Sequence, residues 1–155
     1  MVNHKKSVNI SIVVCITLAV LLTALVFLGP MLFELYLTAY RGLTPTGDPL
    51  ANIKTTFVCC FYPSAVFAGI ILYALLKLLF NIKKGDTFIK ANVMCLRIVS
   101  WCCFMIGIIT FVGCFFYMPF MIVAAAGGLL GLLLRVFKNL MQSAVEIADE
   151  NELTI

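Results

Sequence analysis

Between Phe57 and Leu134 the chain has one strongly charged interruption, Lys83-Lys84-Gly85-Asp86-Thr87-Phe88-Ile89-Lys90-Ala91-Asn92; the residues on either side are dominated by apolar types. A helix that crosses a bilayer takes ~20 apolar residues, and in hydrocarbon a helix satisfies every backbone group within its own segment. The segments flanking this loop therefore read as membrane helices. Composition agrees. Of the 155 residues 63% are hydrophobic and 12% charged, against roughly 25% charged in a soluble domain, and mean hydropathy is +1.12. The expectation is an all-α, polytopic membrane protein, one domain over residues 1–155 with four transmembrane helices.

Lys5 and Lys6 precede an uncharged apolar run from Val8 to Leu28. It is longer than the ~7–15-residue core of a signal peptide, and no A-x-A pattern follows, so it reads as a retained first helix, about 8–29. Gly29-Pro30 then interrupts it, because proline costs ~3 kcal/mol in a helix interior. Met31 to Tyr40 reads as an interfacial turn of helix, with Phe33, Tyr36, Leu37 and Tyr40 on one face and tyrosines as anchors. Glu34 is read as a solvated interface carboxylate; an ion or proton site is the alternative, since carboxylates within a membrane usually mark function.

A polar Gly/Pro loop, 41–49, leads to a second helix, about 54–79, in which Pro63 predicts a kink and Ser64, Ala65, Ala68 and Gly69 a surface for close approach. A loop, 80–86, precedes the third helix, about 87–117. Asp86 or Thr87 is expected to cap it and Asp86 to pair with Lys90 at i, i+4. It enters the membrane near Arg97, with Trp101 as an interfacial aromatic and Phe115, Phe116, Tyr117 and Phe120 as the belt on the opposite side. Tyr117-Met118-Pro119 is so short a turn that the third and fourth helices must form an antiparallel hairpin.

The fourth helix, about 119–148, carries Ala124, Gly127, Gly128 and Gly131 at small-xxx-small spacing. Close packing within one chain and a homodimer seam both use such residues. Its cytoplasmic tail, 136–155, begins as an amphipathic extension: Val136, Phe137, Leu140, Met141, Ala144, Val145 and Ala148 lie opposite Lys138, Asn139, Gln142 and Glu146. Acids at a helix C-terminus oppose the macrodipole, so the last turn is expected to fray.

Lysine and arginine set the orientation. Placing the N-terminus, the charged loop and the tail on one side collects Lys5, Lys6, Lys77, Lys83, Lys84, Lys90, Arg97, Arg135 and Lys138, nine against Arg41 and Lys54 on the other. The positive-inside rule then makes both termini cytoplasmic. The net charge of +4 sits at the ends of apolar runs and forms no basic stripe, so direct binding of nucleic acid is not expected.

Seven cysteines (Cys15, Cys59, Cys60, Cys95, Cys102, Cys103, Cys114) fall in or beside apolar segments. They read as small apolar packing groups, with redox chemistry through Cys59-Cys60 or Cys102-Cys103 as the sharper alternative. There is no CxxC, and His4 is the only histidine, so no metal site is expected. No nucleophile stands with a base, no carboxylate pair with a cleft, and no glycine loop is built for phosphate. The chain is expected to be no enzyme and to use no cofactor.

Two stretches carry a resemblance. Gly85, Phe88, Asn92, Val93, Leu96 and Arg97 form a G-x-x-F-x-x-x-N-V-x-x-L-R arrangement, and the chain ends Glu150-Asn151-Glu152-Leu153-Thr154-Ile155 at the foot of a long last helix. With the helix count and length, these resemble the YoaS-like bacterial integral-membrane family, domain of unknown function 2975, across essentially the whole chain. Many relatives have aspartate where this chain has Glu152, which keeps the charge. The resemblance implies a four-helix protein of the bacterial plasma membrane, often encoded beside a small helix-turn-helix regulator. It implies no reaction and no catalytic residue.

The motif residues also have physical readings. Gly85 permits the loop turn, and Asn92 bonds to exposed backbone at the foot of a neighbouring helix. Arg97 binds lipid phosphate or an acidic tail residue, with Lys83, Lys84 and Lys90 as further candidate phosphate contacts. Glu146, Asp149, Glu150 and Glu152, with Leu153 and Ile155 as apolar anchors, make a candidate docking tail, because anionic lipid repels an acidic peptide and leaves it free for a basic protein surface.

Three functions follow in order: a regulatory or interaction protein holding a cytosolic partner such as the helix-turn-helix regulator; a small transporter, channel or immunity-type protein acting as an oligomer; and a membrane thiol redox protein. Against the second, the middles of the four helices hold no Asp, Glu, Lys, Arg or His, one of which a coupled ion transporter usually has. The orientation is checked with single cysteines placed at Thr46 and Ser143 in a cysteine-free chain. A membrane-impermeant thiol reagent added to intact cells is expected to label position 46 and spare 143; the reverse pattern inverts the topology.

Overall fold

A computed structural model describes the backbone of residues 2–41, 48–85 and 89–152, and the side chains of 6–39, 53–85, 89–148 and 150. The described residues form four helices and no strand: α1 (Val2–Arg41), α2 (Asp48–Lys84), α3 (Lys90–Cys114) and α4 (Phe120–Glu152). Each is long and apolar enough to cross a membrane, and the chain is a multi-pass membrane protein. At ~1.5 Å per residue α1 is about 60 Å long, twice the ~30 Å of hydrocarbon, so it projects beyond the bilayer. α3 is the shortest and comes nearest to matching it.

The helices run antiparallel in succession, and each packs on the next. Gly29 meets Phe61 and Gly113 meets Cys60, while Asn81 meets Asn92 and Ser100 meets Gly131, so α1 lies against α2, α2 against α3 and α3 against α4. The central α3 has the largest buried share. Ala74, Cys95, Val99 and Cys103 form a core cluster with Ile71, Leu75, Leu78 and Leu134 packed round it. The outer helices α1 and α4 turn broad apolar faces outward, as lipid-facing surfaces must.

The first helix corrects the reading of Gly29-Pro30: α1 is continuous through Pro30 to Arg41. Proline removes one backbone bond, a loss that membrane helices tolerate, and the second half of α1 has a packing surface of its own. Phe33 stacks on Phe57 with ring centroids 3.9 Å apart, and Leu37 is 1% exposed. Gly29 makes room for the Phe61 ring, which a Cβ there would approach to 2.9 Å. The pair thus accommodates an aromatic ring and does not end the helix. Phe33 and Leu37 face α2 and not the membrane surface. Glu34 forms an ion pair with Lys54 across the two helices, each about half exposed, in keeping with a solvated interface carboxylate.

Other boundaries shift for local reasons. α2 runs on to Lys84 and stops at Gly85, whose φ of +102° suits a residue without a Cβ; the Gly85 N–H bonds to the Ile82 carbonyl at 3.1 Å. α3 starts at Lys90, preceded by extended Ile89, which offers no side-chain cap; Asp86 and Thr87 lie outside the described residues. At the far end α3 stops at Cys114, and α4 starts one residue after Pro119. Of the expected belt, Phe115 and Phe116 face outward, whereas Tyr117 and Phe120 turn in against Phe33 and Phe57.

The small residues of α4 divide by face. A Cβ on Gly127 would lie 3.1 Å from the Cys103 carbonyl oxygen and 3.2 Å from Gly107 Cα, and one on Gly131 3.2 Å from the Phe104 ring. The Ala124 carbonyl faces Gly107. These three pack within the chain. Gly128 has nothing within 4 Å of a Cβ. Alanine at the two glycines should therefore act in opposite directions: Gly127→Ala is expected to destabilise the detergent-solubilised protein by about 1–3 kcal/mol through overpacking. Gly128→Ala is expected to be neutral or stabilising by up to about 1 kcal/mol through helix propensity. Thermal unfolding of both variants checks this.

Candidate functional site

Apart from the Glu34–Lys54 ion pair, the charge on the described parts of α2, α3 and α4 gathers at the end away from the hairpin turn. From Ile98 to Leu134 the sequence has no charged residue, and this stretch is the α3–α4 hairpin. Its turn at 115–119 sets the register: a residue as far before the turn as another is after it stands level with it. Counting from Tyr117 and Pro119 at ~1.5 Å per residue, Trp101 and Arg135 are both about 24 Å from the turn, and Arg97 and Lys138 about 29–30 Å. With the turn at one edge of a ~30 Å hydrocarbon layer, Arg97 and Lys138 reach the other edge. Trp101 and Arg135 lie about 6 Å inside it.

These residues converge. Arg97, Ser100, Trp101, Arg135 and Lys138 line a recess of about 320 Å³ between α3 and α4. The Arg135 guanidinium carbon sits 5.8 Å from the centroid of the Trp101 ring, within the range of a cation–π contact. Buried Ser100 donates its hydroxyl to the Gly131 carbonyl at 2.8 Å, tying the helices together beside the recess. No carboxylate among the described residues lies within ion-pair distance of Arg97, Arg135 or Lys138.

A second recess, about 390 Å³, lies further from the membrane and is lined by Lys90, Val93, Met94, Arg97, Gln142, Val145 and Glu146. Gln142 Nε2 donates to Glu146 Oε1 at 3.1 Å. Of the expected tail, Glu146 and Glu150 are exposed; the side chains of Asp149 and Glu152, and all of Leu153 and Ile155, lie outside the described residues. α4 remains helical to Glu152. A third, apolar recess of about 440 Å³ is bounded by Leu78 on α2, Leu96 on α3, and Leu134, Phe137, Leu140, Met141 and Ala144 on α4.

The loop motif separates into a turn and a tie. Gly85 is the turn, and Phe88 lies outside the described residues. Asn92, 0% exposed, is the tie: its Oδ1 accepts a hydrogen bond from Asn81 Nδ2 at 2.8 Å, which joins it to the foot of α2. Lys83 and Lys84 are exposed at the end of α2 and line none of these recesses. Arg97 belongs instead with Arg135 and Lys138, which the motif did not point to. The signal was in the hairpin: Arg97 and Trp101 are i, i+4, Arg135 and Lys138 are i, i+3, and the short turn brings the two pairs level.

All seven cysteines are free thiols. Cys95 and Cys103 belong to the core cluster, and Cys60 donates to the Ile109 carbonyl at 3.7 Å, all packing roles.

The Asn81–Asn92 bond yields a double-mutant test. Asn92→Leu and Asn81→Leu are each expected to lower stability by about 1–2 kcal/mol, because each removes the amide–amide bond that joins α2 to α3. The double variant should cost less than the two effects added, read from unfolding midpoints in detergent.

Residues 42–155 match a family model described as a protein of unknown function, DUF2975. The match takes in α2, α3 and α4 and leaves α1 outside, a narrower span than the whole-chain resemblance. Neither a curated protein nor a solved structure matches the chain.

Proposed function

This chain belongs to the DUF2975 family, and from that premise we propose that it is a regulatory or interaction protein of the bacterial plasma membrane. In this reading both termini are cytoplasmic, and the cytoplasmic face holds a soluble partner. The observation that carries it is the extension of α4. Charge resumes at Arg135, and from Lys138, at the membrane boundary, the helix continues to Glu152, about 21 Å further on. Val145 is 3% exposed, so the extension leans on the foot of α3 through its apolar stripe. It is thereby held against the bundle and not spread along the lipid surface.

Other residues of the extension remain available. Leu140 and Ile147 are exposed, and Glu146 adds negative charge. A partner with a basic face and apolar contacts, such as a small helix-turn-helix regulator, has the complementary chemistry. Affinity capture from mild detergent, comparing the full chain with one ending at Ala148, tests this. A helix-turn-helix regulator or another basic cytosolic protein should be retained by the full chain and lost from the shortened one. If both chains fold and neither retains such a protein, the reading falls.

A further inference from the structure

We propose that Arg97, Arg135 and Lys138, backed by Trp101, form a binding site for a phosphate-bearing anion at the basic end of the α3–α4 hairpin. Three cations on two helices converge on one recess, and no carboxylate among the described residues pairs with them. Concentrating like charge is unfavourable unless an anion offsets it. Arg135 makes the case sharpest, because it lies about 6 Å inside the apolar boundary, where an ionised side chain is costly. An anion bound in the recess would supply its countercharge.

Phosphate is the anion whose geometry fits. A guanidinium offers paired N–H donors to phosphate oxygens, and the contact of Arg135 with the Trp101 ring leaves the guanidinium edge for an anion. The ammonium of Lys138, at the level of Arg97, adds a point charge at the rim. Basic pockets between membrane helices at the headgroup level bind anionic lipid headgroups. The same donors would take a soluble phosphate reaching the recess from the aqueous side. The site is built by the hairpin: the Ser100–Gly131 bond and the Gly107–Gly127 contact hold its two walls.

Trp101 is the only tryptophan in the chain, so its fluorescence reports on the recess directly. The full-length protein in an uncharged detergent is titrated separately with short-chain phosphatidylglycerol, phosphatidylcholine and inorganic phosphate. The expected result is a saturable change with phosphatidylglycerol and none with phosphatidylcholine. Arg97→Gln and Lys138→Gln should each raise the midpoint about tenfold, while the double variant Lys83→Gln/Lys84→Gln, outside the recess, leaves it unchanged. A saturable response to inorganic phosphate with the same variant pattern supports the site and identifies a soluble ligand as its source. The proposal is overturned if neither phosphate probe gives a saturable change, if the recess variants leave the midpoint where it was, or if the Lys83/Lys84 variant shifts it equally. Should Arg97→Gln lose its monodisperse elution profile, the half-buried Lys138→Gln decides alone.

Discussion

Backbone meets backbone where Gly107 of α3 crosses Gly127 of α4, and every relationship at the basic end depends on that contact. Between helices in lipid the hydrophobic effect supplies little drive, since the tails are as apolar as leucine; close van der Waals packing and hydrogen bonds do the joining. Here two glycines remove the side chains that would hold the helices apart. The turn at 115–119 holds one end of the hairpin, and the Ser100–Gly131 bond holds it again a few turns away. Three constraints along one seam leave little freedom of register, so the level at which Arg97, Trp101, Arg135 and Lys138 meet is set by the turn and the packing of the whole seam.

A second seam works by different means. α1 and α2 are joined towards the opposite end by aromatic rings: Phe33 on Phe57, Phe57 on Phe61, and Tyr117 and Phe120 of the hairpin turn closing on them. Such pairs contribute ~0.5–1.5 kcal/mol each beyond area burial. Several together are of the same order as the ~3 kcal/mol that proline costs a helix interior, which is why α1 carries on through Pro30. The bundle is thus fastened by rings at one end and by small residues and amide bonds towards the other, where Asn81 and Asn92 meet.

That difference separates what is local in this sequence from what is not. Four apolar segments, the hairpin turn at Tyr117-Met118-Pro119 and the helical continuation of α4 are local signals, and they were legible. The intrachain role of Gly127 was one of two readings, because spacing says that a face is small but not what lies against it; Gly128, one residue on, faces open space. Pro30 was misjudged, since its local penalty is offset by residues near position 57 that no local pattern includes. The recess is hidden from a reading along the chain for a related reason: Arg97, Arg135 and Lys138 are each isolated in sequence, and the hairpin register joins them, whereas charge density along the chain singles out Lys83 and Lys84.

The charged residues along one stripe of α4 follow an order that their surroundings explain. Arg135 comes first, about 6 Å inside the membrane boundary, and Lys138 stands at it; Gln142 is neutral; Glu146 and Glu150 follow. Glu146 is about 12 Å and Glu150 about 18 Å along the helix from Lys138 at the boundary, while screening at physiological salt falls off over ~8 Å. A carboxylate more than one screening length from an anionic headgroup plane feels a weakened repulsion, and a cation at that plane feels the full attraction. One helix face can therefore hold a phosphate at its upper end and present acid to a basic protein at its lower end, with Val145 keeping both ends in line on α3. Binding at the upper end would fix the hairpin in the bilayer, and so set the height at which the acidic end stands clear of it.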